Sequence, residues 1–273
     1  MKNTLVLWAL LLLTALPAHA QDAGLPLWEA GVFAGVASSP AYPGAAARSS
    51  RALVFPLFIY RGDIFRADNS GIGARLFRTD NLELDVGFSA SLPASSDAIV
   101  SRRDMPDLGT LIEFGPRLKW TLARPTTSSR VRLELPLRAV LEFNGGVRGQ
   151  GMAFEPTLIH ESRGLGGGWN LSTSASLVYG DSKLNSYFYG VPAQYATAAR
   201  PAFDAQAGVI AARLGLSASK SLTRDVRLFG FVRFDSYAGA ANRNSPLHLS
   251  SNGTTAGIGL TWVLGRSQSL VRD

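Results

Sequence analysis

Cysteine is absent from the 273-residue chain, which excludes disulfides, thiol catalysis and thiolate metal sites. Histidine is nearly as scarce, with three residues in all. No two of them share a strand or a helical turn, and the acidic residues do not form a loop with calcium-ligand spacing, so no metal site is expected. Charged residues make up only 17% of the chain and are scattered, which argues against a nucleic-acid surface. Long apolar runs are missing beyond residue 16. Nothing there approaches the roughly 20 residues that a membrane-spanning helix needs.

The one apolar run that is present lies at the start. Lys2 precedes an apolar stretch from Leu5 to Leu16, followed by Ala18-His19-Ala20, the small-x-small pattern that signal peptidase cleaves. Residues 1–20 are therefore expected to be a cleavable signal peptide, and 21–273 a single exported domain. Cleavage removes one charged residue, Lys2, and lowers the net charge from +7 to +6. For such a cationic exported protein the natural anionic neighbours are lipopolysaccharide phosphates and acidic wall groups, with no nucleic acid among its partners.

Period-two alternation dominates the rest. Between Arg130 and Phe143 one face reads Arg130, Arg132, Glu134, Pro136, Arg138, Val140 and Glu142, while the other is continuous hydrocarbon from Val131 to Phe143. The stretches Asn81–Leu92 and Trp169–Tyr179 repeat the arrangement. Soluble sandwiches also alternate, but with strands of about 5–6 residues; roughly 10 or more suits a tilted strand crossing a bilayer. Further strands are expected at 27–37, 51–60, 63–69, 71–78, 109–123, 151–162, 206–220, 226–239 and 253–264. The expected fold is an all-β, transmembrane, antiparallel up-and-down barrel of about 12 strands with both termini periplasmic. Links at 61–62, 79–80, 124–129, 163–167 and 221–225 are then short periplasmic turns. Those at 38–50, 93–108, 144–150, 180–205 and 240–252 are longer outer loops, and a tight hairpin at Ser70 is the exception. Trp28, Trp120, Trp169 and Trp262 all fall near the periplasmic ends of their strands, as an interfacial girdle requires.

Catalytic signals are thin. His160-Glu161-Ser162 and His248-Leu249-Ser250 each place imidazole and hydroxyl on one face of a strand, the minimum for general-base activation of serine in a lipid hydrolase. Two fixed positions arise easily by chance in a serine-rich chain, and solvated or interfacial histidines are the better reading. Arg61-Gly62-Asp63 reads as a turn, and Gly164-Leu165-Gly166-Gly167-Gly168 lacks the lysine and helix of a phosphate loop. Glu113, Arg117, Lys119, Arg132, Glu134, Arg138, Arg213, Arg227, Arg233 and Asp235 are expected to face the lumen, either as a mutually neutralising network or as the lining of a narrow anion-selective pore. Tyr187-Phe188-Tyr189-Gly190 offers loop packing or an aromatic recognition surface. No catalytic, cofactor or metal residue is assigned.

The chain resembles the MipA/OmpV family of outer-membrane proteins. The resemblance rests on Tyr42-Pro43-Gly44, Gly73-Ala74-Arg75-Leu76-Phe77, and Met105-Pro106-Asp107-Leu108 followed by Glu113-Phe114-Gly115-Pro116. It continues through Tyr187-Phe188-Tyr189-Gly190-Val191 and Pro201-Ala202-Phe203-Asp204-Ala205. It implies a barrel without enzymatic activity, a scaffold that brings a lytic transglycosylase together with a peptidoglycan synthase, or an osmotically regulated or adhesion-related surface protein. The family motifs carry no catalytic roles. A departure is the polar tail, Gly265 to Asp273, which follows Trp262-Val263-Leu264 where barrels of this kind commonly stop on an aromatic; this tail is a candidate contact for a periplasmic partner. A narrow small-solute channel is the alternative function, and a His-x-Ser lipid hydrolase stands last.

Overall fold

A computed structural model describes residues 24–68, 71–91 and 93–271; the expected signal peptide, Ser70 and the last two residues lie outside them. In chain order the strands are β1 Leu25–Pro26, β2 Trp28–Pro40, β3 Arg48–Arg61, β4 Phe65–Asp68, β5 Gly71–Arg78, β6 Leu82–Ser91, β7 Thr110–Thr126 and β8 Ser129–Phe143. They continue with β9 Val147–Phe154, β10 Thr157–Leu165, β11 Trp169–Gly180, β12 Gly208–Ser221, β13 Val226–Ser236, β14 Asn252–Arg266 and β15 Leu270–Val271. The helix α1, Ser182–Tyr189, lies between β11 and β12.

Every ladder is antiparallel, and β14 pairs with β2 from Ala256↔Ser38 to Arg266↔Glu29. The sheet thereby closes on itself and leaves no free outer edge strand at the seam. β9 and β10 are two parts of one stave: both pair with β8, one beside Leu137–Phe143 and the other beside Ser129–Glu134. The break falls at Glu155-Pro156, where proline has no N–H to donate. Counted this way, the barrel has twelve staves, as the alternation predicts. β4 spans only four residues and pairs with β3 only through Tyr60↔Ala67 and Arg61↔Arg66.

The alternation reads the two faces correctly. Along β8 Arg132, Glu134, Pro136, Val140 and Glu142 are buried, whereas Leu137 and Phe143 are exposed on the outside. Val54, Phe58, Ile72, Leu177, Leu214 and Ile258 are likewise exposed. In water such a band would be an aggregation surface; on a closed barrel it is the lipid-facing wall. The end carrying the first and last described residues, here the near end, has short turns, and the far end has the long links at 93–109, 181–207 and 237–251. Trp28, Trp120 and Trp262 stand exposed in the near-end half, and Lys220 lies 5.7 Å from the ring of Trp169.

The tail is described through Val271. It turns back so that Leu270 and Val271 pair with Pro26 and Leu25, and Ser267 N–H donates to the Trp28 carbonyl at 2.9 Å. The polar tail is thereby fastened to the first residues of the described chain.

Candidate functional site

The lumen is built from the inward residues of the alternating strands, and its charges form two chains of ion pairs. In the near half Glu83 accepts from Arg75 and Lys119, each at 2.9 Å. Lys119 also reaches Asp85 at 2.8 Å, and Arg117 holds Asp85 at 2.6 Å and faces Glu134 at 3.6 Å. Arg132 continues the line, 3.0 Å from Glu134 and 3.1 Å from Glu161, and Arg130 donates to Glu161 as well. In the far half Arg138 joins Glu113 at 3.2 Å and Glu155 at 3.7 Å. Arg213 joins Glu155 at 2.9 Å and Asp235 at 3.0 Å, and Arg233 lies 3.2 Å from Asp235. Isolated charges this far from water are costly, and pairing is what makes them tolerable.

Of the lumen charges expected from sequence, all but Arg227 enter one of these chains. Sequence reasoning missed Arg75, Glu155 and Glu161, and did not name Glu83, Asp85 and Arg130 among the lumen charges although it placed them on the polar face. Glu161 is instructive. The His160-Glu161-Ser162 triplet puts His160 on the outward face, opposite Val131 and Thr173, so its middle residue is the one that turns inward to Arg130 and Arg132. The lumen also has an apolar side that alternation did not flag. Phe33 stacks on Phe55 at 4.8 Å, and Phe229 lies 5.8 Å from Phe231, on the strand face that carries Asp235. The glycines Gly35, Gly257 and Gly259 leave the room these rings occupy.

The far end is plugged. Asp181 caps α1 by accepting from Leu184 N–H at 2.8 Å, and its other oxygen accepts from Met152 N–H at 2.9 Å, which ties the helix to β9. Glu142, buried near the top of β8, accepts from Gly109 N–H, Tyr187 Oη and Gln150 Nε2 at 3.0, 3.1 and 2.6 Å. Leu184, Tyr189, Ile210 and Tyr237 form one apolar cluster of the plug, and Tyr42, Met105, Leu108, Val191 and Leu247 form another. The aromatic segment Tyr187–Tyr189 is thus packing material, with Tyr189 fully buried. Many residues on which the family resemblance rests, Tyr42, Met105, Leu108, Val191 and Ala205 among them, converge here.

Two cations stitch the loops through neutral acceptors. Arg102, buried without a carboxylate in salt-bridge contact among the described residues, donates to the Phe188 and Pro106 carbonyls at 3.3 Å, and burial lowers its pKa. Arg200 donates to the carbonyls of Ser101, Arg103 and Tyr195. His248 sits 6.0 Å from Tyr189 and 6.1 Å from Tyr237, with its Nε2 buried and unpartnered; burial pushes its pKa below the ordinary 6.5. Ser250 Oγ donates to the Asn252 carbonyl, not to an imidazole. Arg61 of the Arg-Gly-Asp triplet is buried against Glu29 at 2.6 Å.

The two larger cavities, of about 580 Å³ at the near end and about 520 Å³ beneath the plug, share no lining residue, and a small one of about 10 Å³ is lined by Arg117 and Asp85 among others. Between them lie Arg117, Asp85 and Glu134 of the ion-pair belt.

A closed antiparallel barrel with an apolar exterior, a charged lumen and short turns at one end is the architecture of an outer-membrane protein. The family model for MltA-interacting protein MipA matches residues 32–264, and the chain belongs to that family. Among solved structures the chain is similar to an outer membrane channel from Pseudomonas putida F1, at 11% identity over 89% of this chain and 98% of that one, with a TM-score of 0.44. It is also similar to the outer membrane phospholipase A from Escherichia coli, at 12% identity over 86% and 92%, with a TM-score of 0.34. No curated protein matches it.

Proposed function

We propose that this barrel is a non-enzymatic scaffold of the outer membrane, exported by cleavage of residues 1–20, with its near end in the periplasm. There it binds murein enzymes, a lytic transglycosylase and a peptidoglycan synthase being the expected partners. The observation that carries the reading is the filled lumen. Cross-strand ion pairs and a packed plug occupy much of the interior, so the turns and the fastened tail are the surfaces offered to a protein partner. The family's name, MltA-interacting protein, points to the class of partner. The dispersal of the two histidines also supports a non-enzymatic role: one faces outward and the other is wedged in the plug away from Ser250 Oγ.

The test is affinity capture from detergent-solubilised envelopes with the full barrel as bait, followed by a zymogram for murein hydrolysis. The expected result is recovery of murein-cleaving activity, reduced when residues 266–273 are removed. A capture that retains no murein enzyme, from a bait shown to be folded, would overturn the reading.

A further inference from the structure

The near-end cavity is far from electroneutral. Eight Arg or Lys side chains line it against three Asp or Glu, an excess of five positive charges in a chain whose whole net charge is +7. The far-end cavity has four against three, so the imbalance belongs to one end of the lumen and is not a general property of the interior.

Several of these cations are uncommitted. Arg78 and Arg163 are exposed and line the cavity; neither guanidinium makes a hydrogen bond or close ion pair with a described residue, and Arg163 feels the Glu161 carboxylate only at longer range. Arg124 donates to Asn81 Oδ1 at 2.7 Å and to the Asp80 carbonyl at 2.6 Å, neutral acceptors that leave its charge uncompensated. Deeper in, the ion-pair chain ends at Arg75 and Arg130, whose partners Glu83 and Glu161 are each already shared between two cations. Hydroxyls of the turn between β7 and β8 complete the lining, Thr126 and Ser128 lying 3.3 Å apart.

Walls of low dielectric focus such a field into the cleft, which concentrates anions there. The guanidinium fork matches carboxylate and phosphate oxygens two at a time, and serine and threonine add neutral donors. A single negative charge would leave most of the excess in place. The lumen is shielded from hydrocarbon by the barrel wall, so entry is through the barrel mouth. We propose that this cavity binds a small polyvalent anion carrying carboxylate or phosphate groups. The proposal does not depend on the scaffold reading, because a protein partner on the outer turns and an anion inside the mouth are separate sites.

Citrate and pyrophosphate, titrated calorimetrically into the detergent-folded protein at low salt, are the probes. Saturable binding is expected, weakened at high salt. Arg78→Gln combined with Arg163→Gln lies outside the ion-pair chains and should fold normally; it is expected to weaken binding about tenfold for each guanidinium removed. Arg51→Gln, at the far-end cavity, is expected to change nothing. Binding of one probe alone supports the site and names its chemistry, carboxylate or phosphate. No saturable binding of either probe, or binding untouched by the double substitution in a protein that keeps its heat-modifiable mobility, would overturn the proposal.

Discussion

Asp85 is held by Arg117 at 2.6 Å and by Lys119 at 2.8 Å, and is almost fully buried. Breaking a buried pair by removing one partner leaves the others uncompensated, which costs about 3–5 kcal/mol. Asp85→Ala should therefore lower stability to urea in detergent by about that amount, whereas Asp63→Ala, in an exposed turn, should stay within about 0.5 kcal/mol. Equal effects would contradict the belt. His248 gives a pH signature at the other end. Its folded pKa is lowered by burial, so between the folded and unfolded values the unfolded chain binds more protons. Its stabilising share is full above the ordinary 6.5 and is lost as pH falls through the folded value. Protease cutting of the far-end loops should accelerate as pH falls from 6.5 towards that value, and His248→Phe should flatten the profile. A flat wild-type profile would contradict the wedged imidazole.

At the level of elements, the plug hangs on few fixings. Asp181 caps α1 and also holds Met152 N–H; Asp181→Ala should cost about 1–2 kcal/mol. The loss should be confined to the plug, read as faster proteolysis between residues 181 and 207 with barrel strands still protected. Loss of the whole barrel instead would show that plug and wall fold as one unit. Gly44 is a second fixing. Its φ of +81° is the left-handed region, and a Cβ there would stand 2.8 Å from His248. Its carbonyl accepts from Leu249 and Ser250 N–H. The strands were legible because one face of each, as in β8, alternates charge with hydrocarbon. The helix Ser182–Tyr189 was not: eight residues carry too little period to read, and Leu184 and Tyr189 are buried by loops distant in sequence. Phe33, Phe55, Phe229 and Phe231 escaped for a related reason. Apolar residues on both faces of a strand leave no alternation to assign an inside.

Across the whole molecule, the longest links gather at one end as the sequence implied, although the far-end link expected at 144–150 is only residues 144–146, as short as the near-end turns; β14 closes the wall on β2. The near end is open and cationic, and the far end is packed. Length and patterning foretold the barrel and most of its lumen charges, but the pairing of those charges depends on strand register, which no single strand reveals. That pairing is the central claim: ion pairs and plug fill the lumen and separate the two cavities, so the protein works through its surfaces and not as a pore. Planar-bilayer recording of the folded protein tests this most directly. No discrete conductance steps are expected for the native chain, with steps emerging when Asp85→Ala is combined with removal of residues 183–205. Regular steps from the native protein would contradict it.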